Sequence, residues 1–211
     1  MKNRPEPSPI TITNVGYLST NYWVISAGRS RLLVDLGYPG TMGMMRARLK
    51  QMDIPLQEIR FALATHYHID HAGLAQELKQ VGVRLIVLET QVDAIPLMKQ
   101  FTKPRDHYVE ISLEGNQIIP ASDSRPVLAQ LGIAGEILPT PGHSDDSVSL
   151  LLDSGSVFTG DLTPLENAWG EQGQVVKASW HLLMEHGAKL VYPGHGGIRT
   201  IDQMHKEEKD Q

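Results

Sequence analysis

The chain has 211 residues, with 24 acidic and 19 basic side chains for a formal net charge of −5, nine histidines and no cysteine. The absence of cysteine excludes disulfides, thiolate metal sites, cysteine nucleophiles and cysteine-held iron–sulfur clusters, so any metal needs nitrogen and oxygen ligands. A composition of 41% hydrophobic residues is enough for a sizeable core, and the mild negative charge gives no reason to expect nucleic acid or an anionic membrane as partner.

The first half of the chain alternates between strand and helix patterns. Short apolar runs separated by Gly, Ser and Asn predict strands at 10–15, 22–26, 31–36, 59–65 and 83–88. Apolar positions at helical spacing predict two helices, at 41–52 and 71–81. This alternation is typical of helices packed on a sheet.

The second half begins with a stretch, 91–135, that is harder to interpret. It allows a helix interrupted or begun near Pro96, a strand at 107–112 and a short helix at 125–132. Clearer patterns follow, with an amphipathic helix at 174–186 ended by Gly187. Further strands are predicted at 137–140, 147–152, 156–159 and 189–192, two of them joined by a hairpin turn at 153–155.

The strongest chemical signal is the run Thr65-His-Tyr-His-Ile-Asp-His71, directly after a predicted strand. If the segment leaves that strand extended, His66 and His68 point to the same side, while Asp70 and His71 begin the next helix. A solvated polar loop is the alternative. Three imidazoles and a carboxylate in six positions favour a metal site instead.

A similar local pattern recurs three times later in the chain. A predicted strand runs into Gly142-His143, another into Gly160-Asp161 and a third into Gly194-His195. In each case a glycine permits a tight turn, and the next residue has a side chain that can bind a metal. Ligands delivered from the ends of several strands are one way for a sheet scaffold to build a rigid site.

The run His66-x-His68-x-Asp70-His71, followed by His143, Asp161 and His195, resembles the metallo-β-lactamase-fold hydrolase superfamily. The resemblance covers residues 35 to 195 and implies a four-layer αβ/βα sandwich of two mixed sheets flanked by helices, an α/β (α+β) fold. We therefore expect residues 1–211 to form a single metallo-β-lactamase-like domain, with 1–8 and 204–211 frayed and 91–135 as a variable region on the substrate side.

The resemblance also implies a dinuclear metal site. By matching positions, one ion is held by His66, His68 and His143, a second by Asp70, His71 and His195, and Asp161 bridges them. Asp35 resembles the early aspartate of the family that orients a ligand. Two Zn²⁺ ions are expected, although imidazoles and carboxylates also suit Fe or Mn. The two ions would share a hydroxide as nucleophile, with Asp70 as the catalytic residue that orients it or shuttles its proton.

Several neighbours of these ligands have two interpretations each. Tyr67 can touch substrate or pack beside the site, and Trp169 can belong to a loop near the pocket. Asp145 and Asp146 replace the Pro-Gly of many relatives, and we expect them to cap a turn rather than attract a cationic substrate. The remaining histidines, with no assigned role, are His107, His181, His186 and His205.

The predicted function is hydrolysis of an ester, thioester, lactone or phosphoester of a small-molecule substrate. The chain stops soon after His195, without the helical domain of a glyoxalase II, and His68 stands where flavodiiron relatives have glutamate. The N-terminus lacks the apolar segment of a secretory signal and no run approaches 18 apolar residues, so we expect a cytoplasmic protein without membrane or nucleic-acid contacts. The alternatives are a mononuclear iron dioxygenase of the persulfide-oxidising type and, last, a silent binding protein.

Overall fold

The computed structural model describes residues 9–203, so the two segments expected to fray lie outside the described residues. Six strands form the first sheet in chain order, antiparallel from β1 to β3 and parallel from β3 to β6. These strands are β1 (Ile10–Asn14), β2 (Trp23–Ala27), β3 (Ser30–Val34), β4 (Ile59–Leu63), β5 (Arg84–Leu88) and β6 (Gln117–Ile119).

The second sheet has five strands in the order β11-β10-β9-β8-β7. Only β9 and β10 pair in parallel, and the other pairs are antiparallel. The strands are β7 (Gly135–Pro139), β8 (Val148–Leu152), β9 (Ser156–Gly160), β10 (Leu190–Pro193) and β11 (Arg199–Thr200). The turn predicted at 153–155 joins β8 to β9, closed by a hydrogen bond from Gly155 N to Leu152 O.

Helices cover both outer faces of this pair of sheets. They are α1 (Met42–Gln51), α2 (Ile69–Ala72), α3 (Ala75–Gln80), α4 (Ser124–Gln130) and α5 (Gly170–Glu185). Along the inner strands, side chains alternate between two cores. Ile25 and Leu32 face the other sheet, whereas Val24 and Leu33 pack under α1 and α3. Helix α5 covers the second sheet through Trp180. The predicted four-layer sandwich of two mixed sheets is confirmed.

The helix predicted at 71–81 is divided into α2 and α3. In a continuous helix the carbonyl of His71 would accept a hydrogen bond from residue 75. Here it accepts one from the backbone N–H of Leu36, 2.6 Å away at the end of the β3 region. The hydrogen bond at this break therefore links residues 65–71 to the segment that follows β3.

The prediction of a strand at 107–112 is wrong, because the structure has no strand in this segment. Its backbone groups bind side chains of α3 instead of a neighbouring strand: Ser112 N donates to the side chain of Gln76, and the Lys79 ammonium donates to Ser112 O. The strand that does extend the sheet here is the three-residue β6, which the apolar pattern did not indicate. The helix expected around Pro96 is a 3₁₀ helix spanning Glu89–Phe101.

The buried side chain of Gln91 fastens this 3₁₀ helix to the strand that precedes the candidate site. Its amide donates to Ala64 O at 3.0 Å, and its carbonyl accepts from Leu88 N at 3.2 Å. We expect Gln91→Leu to lower the free energy of unfolding by about 1–3 kcal/mol, because two buried backbone groups lose their partner. Denaturant unfolding tests this, with exposed Gln100→Leu in the same helix as control. Equal stability of the two variants would contradict it.

Among residues 9–203, none of the helices combines the length and the apolar composition needed to cross a membrane.

Candidate metal centre

The structure brings together all seven side chains predicted as ligands, at one edge of the two sheets. The first four follow β4, with His66 and His68 in the connection and Asp70 and His71 in α2. The other three come from the second sheet: His143 lies in the loop after β7, Asp161 follows β9 directly and His195 lies two residues after β10. The site therefore lies between the sheets and depends on both.

One group of donors consists of three imidazoles. The Nε2 atoms of His66 and His143 each lie 3.0 Å from Nδ1 of His68. His66 is buried, whereas His68 and His143 are partly open to solvent. These three nitrogens lie within 4.8 Å of one another and converge on a common point.

A second group consists of Asp70, His71 and His195. Oδ2 of Asp70 lies 3.2 Å from Nε2 of His195 and 3.5 Å from Nε2 of His71. Asp161 lies between the groups, with Oδ1 3.3 Å from His71 Nε2 and Oδ2 3.4 Å from His195 and 3.8 Å from His143. Asp161 therefore adjoins both groups, and together with His66 and His71 it forms a further possible set of ligands.

The donor set fits bound metal ions on two counts. In residues 9–203, His71 Nε2 and Asp161 Oδ1 are buried without a hydrogen-bond partner although they lie 3.3 Å apart, and a cation bound by both would satisfy them. A tetrahedral zinc with ligands at about 2.0–2.1 Å puts its ligand atoms roughly 3.3 Å apart. The observed separations of 3.0–3.8 Å bracket that value.

Partners of the other ring nitrogens fix the orientation of two imidazoles. Nδ1 of His71 donates to Oδ2 of Asp35 at 2.9 Å, and Nδ1 of His195 donates to Ser19 O at 2.7 Å. Oδ1 of Asp35 accepts from both the backbone N–H and the hydroxyl of Thr65 at 2.8 Å. Asp35 thus links β3 to the start of the ligand segment, in keeping with its expected orienting role.

The electrostatic state of the donors also suits metal binding. Burial, together with the neighbouring imidazoles, holds the pKa of His66 well below its usual range, and burial lowers the pKa of His143 despite the attraction of Asp161. Burial of Asp161 opposes its ionisation, but the attraction of the neighbouring His71 and His195 rings prevails and lowers the pKa of this carboxyl. His66 and His143 are therefore favoured as neutral imidazoles, which suits metal binding, and Asp161 is favoured as a carboxylate. His71, where burial opposes protonation but the neighbouring carboxylates raise the pKa to about 10, must instead lose a proton to bind a metal.

Two glycines are required for these groups to approach each other. Gly160 adopts φ +54°, and a side chain there would overlap Thr65. A Cβ on Gly194 would lie 2.5 Å from Asp161 Oδ1 and 2.6 Å from Cε1 of His71. The glycines that precede Asp161 and His195 are therefore needed for close backbone approach, as the recurring pattern predicted.

The loop between β1 and β2, residues 15–22, fastens the second group of donors. The hydroxyl of Thr20 donates to Asp70 Oδ2 at 3.0 Å, and the side-chain amide of Asn21 donates to Pro193 O and Gly196 O on either side of His195. Sequence reasoning missed this loop because its residues follow no metal-binding pattern. They contact the site only after the chain has folded.

We expect Thr20→Val to weaken metal binding by the group of Asp70, His71 and His195 by about 10- to 100-fold, as loss of a partner that orients a ligand typically does. Valine keeps the shape of threonine but cannot donate to Asp70. Competition with a chromophoric chelator measures the two stepwise affinities. Thr11→Val, on the exposed part of β1, is the control, and unchanged affinities in both variants would contradict the role given to Thr20.

A cavity of about 210 Å³ opens beside His143, between the segment after β9 and the start of α5. Trp169, 69% exposed, lines it together with Thr163, Asn167 and Gln172. The contact predicted between Trp169 and substrate thus stays a prediction, with a cavity now beside it. Tyr67 is 4% exposed and packs in the core under α1 and α3, which favours the packing alternative for this residue.

Comparison with known proteins assigns the chain to one family. The sequence matches the family described as the metallo-beta-lactamase superfamily over residues 15–195, and the chain belongs to that superfamily. Its fold is similar to the crystal structure of a metallo-beta-lactamase family protein from Thermus thermophilus, with a TM-score of 0.69 and 19% identity over 95% of this chain and 78% of that one.

Two relatives indicate the enzyme class. The chain is 28% identical over 206 residues to a probable metallo-hydrolase of Methanocaldococcus jannaschii, covering 90% of this chain and 93% of that protein. It is 27% identical over 200 residues to the atrochrysone carboxyl ACP thioesterase of Aspergillus fumigatus, covering 91% of this chain but 56% of that protein. The chain thus spans about half the length of this thioesterase. The predicted class, a metal-dependent hydrolase, is confirmed.

Proposed function

We propose that the chain is a dinuclear-zinc hydrolase that cleaves a carboxylic ester or thioester of a small molecule. The observation that supports this most directly is the convergence of seven donors in two groups that share Asp161. In this proposal His66, His68 and His143 hold one ion, and Asp70, His71 and His195 hold the other. When bound, the two ions would lower the pKa of water to supply the nucleophile and would polarise the substrate carbonyl.

The residues around the ligands hold the ligand side chains in the orientations that this chemistry needs. Asp35 and Ser19 O hold the rings of His71 and His195 so that Nε2 of each faces the centre. Asp70, held by Thr20, presents a carboxylate at the partly open side of the site. We assign to Asp70 the task of orienting the attacking water and accepting its proton, since a carboxylate so placed is a suitable general base.

The cavity beside His143 supports an acyl substrate over a phosphoester. In the described part of the chain, the residues that line the cavity include no lysine, arginine, aspartate or glutamate. Recognition of a phosphodiester usually relies on arginine or lysine. Exposed apolar side chains on three loops next to the ligands, namely Leu18, Trp169 and Ile198, suit an apolar acyl group, and the thioesterase name of the Aspergillus fumigatus relative agrees.

Metal analysis combined with a substrate panel tests the proposal. Protein reconstituted with zinc should hold two ions per chain and hydrolyse carboxylic esters and thioesters at least about 100-fold faster than phosphodiesters. Chelation should abolish turnover and zinc should restore it. One iron per chain with oxygen consumption would support the persulfide-oxidising alternative instead. Two bound ions without hydrolysis of any member of the panel would overturn the proposed reaction.

A further inference from the structure

A carboxylate that is not among the seven donors joins the two halves of the first donor group. His66 and His68 belong to the segment after β4 in the first sheet, whereas His143 follows β7 in the second. Oδ2 of Asp146 accepts a hydrogen bond of 2.7 Å from the backbone N–H of Tyr67, the residue between the two histidines. Asp146 therefore reaches across from the loop of His143 to the segment of His66 and His68.

The position of Asp146 is fixed relative to His143. The Ser147 hydroxyl accepts from Ser144 N at 3.2 Å and lies 2.8 Å from the Ser144 hydroxyl, which closes the turn that follows His143. Immediately after this turn, Val148 N donates to Thr65 O at 2.8 Å. Two hydrogen bonds thus pair residues 146–148 with residues 65–67, so the turn cannot shift without moving the ligand segment.

We propose that Asp146 is a positioning residue that sets the spacing of His66, His68 and His143 and thereby the affinity for the ion they hold. A hydrogen bond from a backbone N–H to an ionised carboxylate is stronger than one between neutral groups. It acts at the centre of the ligand segment, where a small displacement changes the direction of both flanking imidazoles. This inference rests on the proposed metal site but not on the proposed substrate.

The neighbouring Asp145 provides a matched control. Its side chain is exposed, whereas that of Asp146 is partly buried and bonded to Tyr67. The turn after His143 is closed by the Ser147 hydroxyl, whereas the bond given for the Asp146 side chain reaches across the site, so the expectation that this Asp-Asp pair caps a turn stays a prediction. If the pair instead served to attract a cationic substrate, Asp145, the more exposed carboxylate, would matter more.

Stepwise zinc affinity is the main test. We expect Asp146→Ala to weaken binding of the ion at His66, His68 and His143 by about 10- to 100-fold and to leave the other ion unchanged. Asp146→Asn keeps an oxygen acceptor and should restore most of that loss, whereas Asp145→Ala should bind like the parent protein. Cobalt substitution gives a spectroscopic signature, because the absorption of the ion with three imidazoles should change in Asp146→Ala only.

Hydrogen exchange of the Tyr67 amide tests the same inference in the metal-free protein. Protection of this amide should fall at least tenfold in Asp146→Ala and remain in Asp145→Ala. Unchanged exchange and unchanged zinc affinity in Asp146→Ala would overturn the inference, as would an equal loss in Asp145→Ala. If Asp146→Ala fails to fold, a comparison of Asp146→Asn with Asp146→Leu decides instead. Slower exchange of the Tyr67 amide and tighter zinc binding in Asp146→Asn than in Asp146→Leu would support the role, and equal values in the two variants would overturn it. A protein that binds zinc as expected but hydrolyses no ester would contradict the proposed function and leave this inference standing.

Discussion

Replacement of Asp161 by alanine is expected to leave at most one zinc ion per chain and to lower kcat/KM by more than about 100-fold. Loss of a residue that only orients a ligand lowers metal affinity or activity by up to about 100-fold. Loss of Asp161 should have a larger effect, because its carboxylate adjoins both donor groups directly. Its side chain also supplies the ionised charge that faces His71 and His195. Elemental analysis and steady-state kinetics on the same preparation measure the two effects.

Asp153→Ala is the control for that variant, because it removes an exposed aspartate at the far end of β8, where it pairs with Arg125. This control should retain two ions and parental kinetics. An Asp161→Ala protein that kept two zinc ions and near-parental turnover would show that Asp161 is not a shared ligand.

Zinc binding at pH 7.5 is expected to release a proton from His71, and Asp35→Asn is expected to reduce that release. Burial of the His71 ring opposes protonation, but the carboxylates of Asp35 and Asp161 outweigh it and raise the pKa of His71 to about 10. A protonated imidazole has no lone pair for a metal, so its proton must leave on binding. The apparent affinity at this position should therefore rise about tenfold per pH unit up to pH 10.

Calorimetry in buffers with different ionisation enthalpies counts the released protons. The same shift makes the metal-free protein more stable at low pH than at high pH. The raised pKa of His71 contributes its full stabilisation of the fold below about pH 6.5. That contribution is lost as the pH rises through 10. Asp35→Asn should flatten this part of the stability profile, whereas exposed Asp153→Asn should not. Equal proton release by Asp35→Asn and the parent would contradict the pairing of Asp35 with His71.

The seven donors could be predicted from sequence because each follows a strand and most lie in short local patterns. His66 to His71 form one run, and the later three each follow a glycine at a strand end. The residues that orient these donors leave no such pattern. Thr20 and Gln91 meet the site only through folding, and Ser19 acts through its backbone carbonyl, which every residue possesses.

The fold was predictable where strands are buried on both faces, since β2 to β5 and β8 to β9 are nearly continuous apolar runs. The region after β5 was not, because its backbone groups are satisfied by side chains rather than by regular pairing. Lys79 and Gln76 bind the segment around Ser112, and the single strand present there, β6, has three residues. A strand so short has too little alternation to be recognised.

The division of the ligands between two sheets has a consequence for biosynthesis. At about 5–20 residues per second, the ribosome needs on the order of 10 s to proceed from His71 to His195. During that time the nascent chain contains the first sheet and its histidine cluster but not the ligands from β9 and β10. Ser19, which orients His195, must also wait for a partner 176 positions away. The proposed metal site can therefore be completed only after residue 195 has been synthesised, so any ion bound earlier would lack the donors of the second sheet.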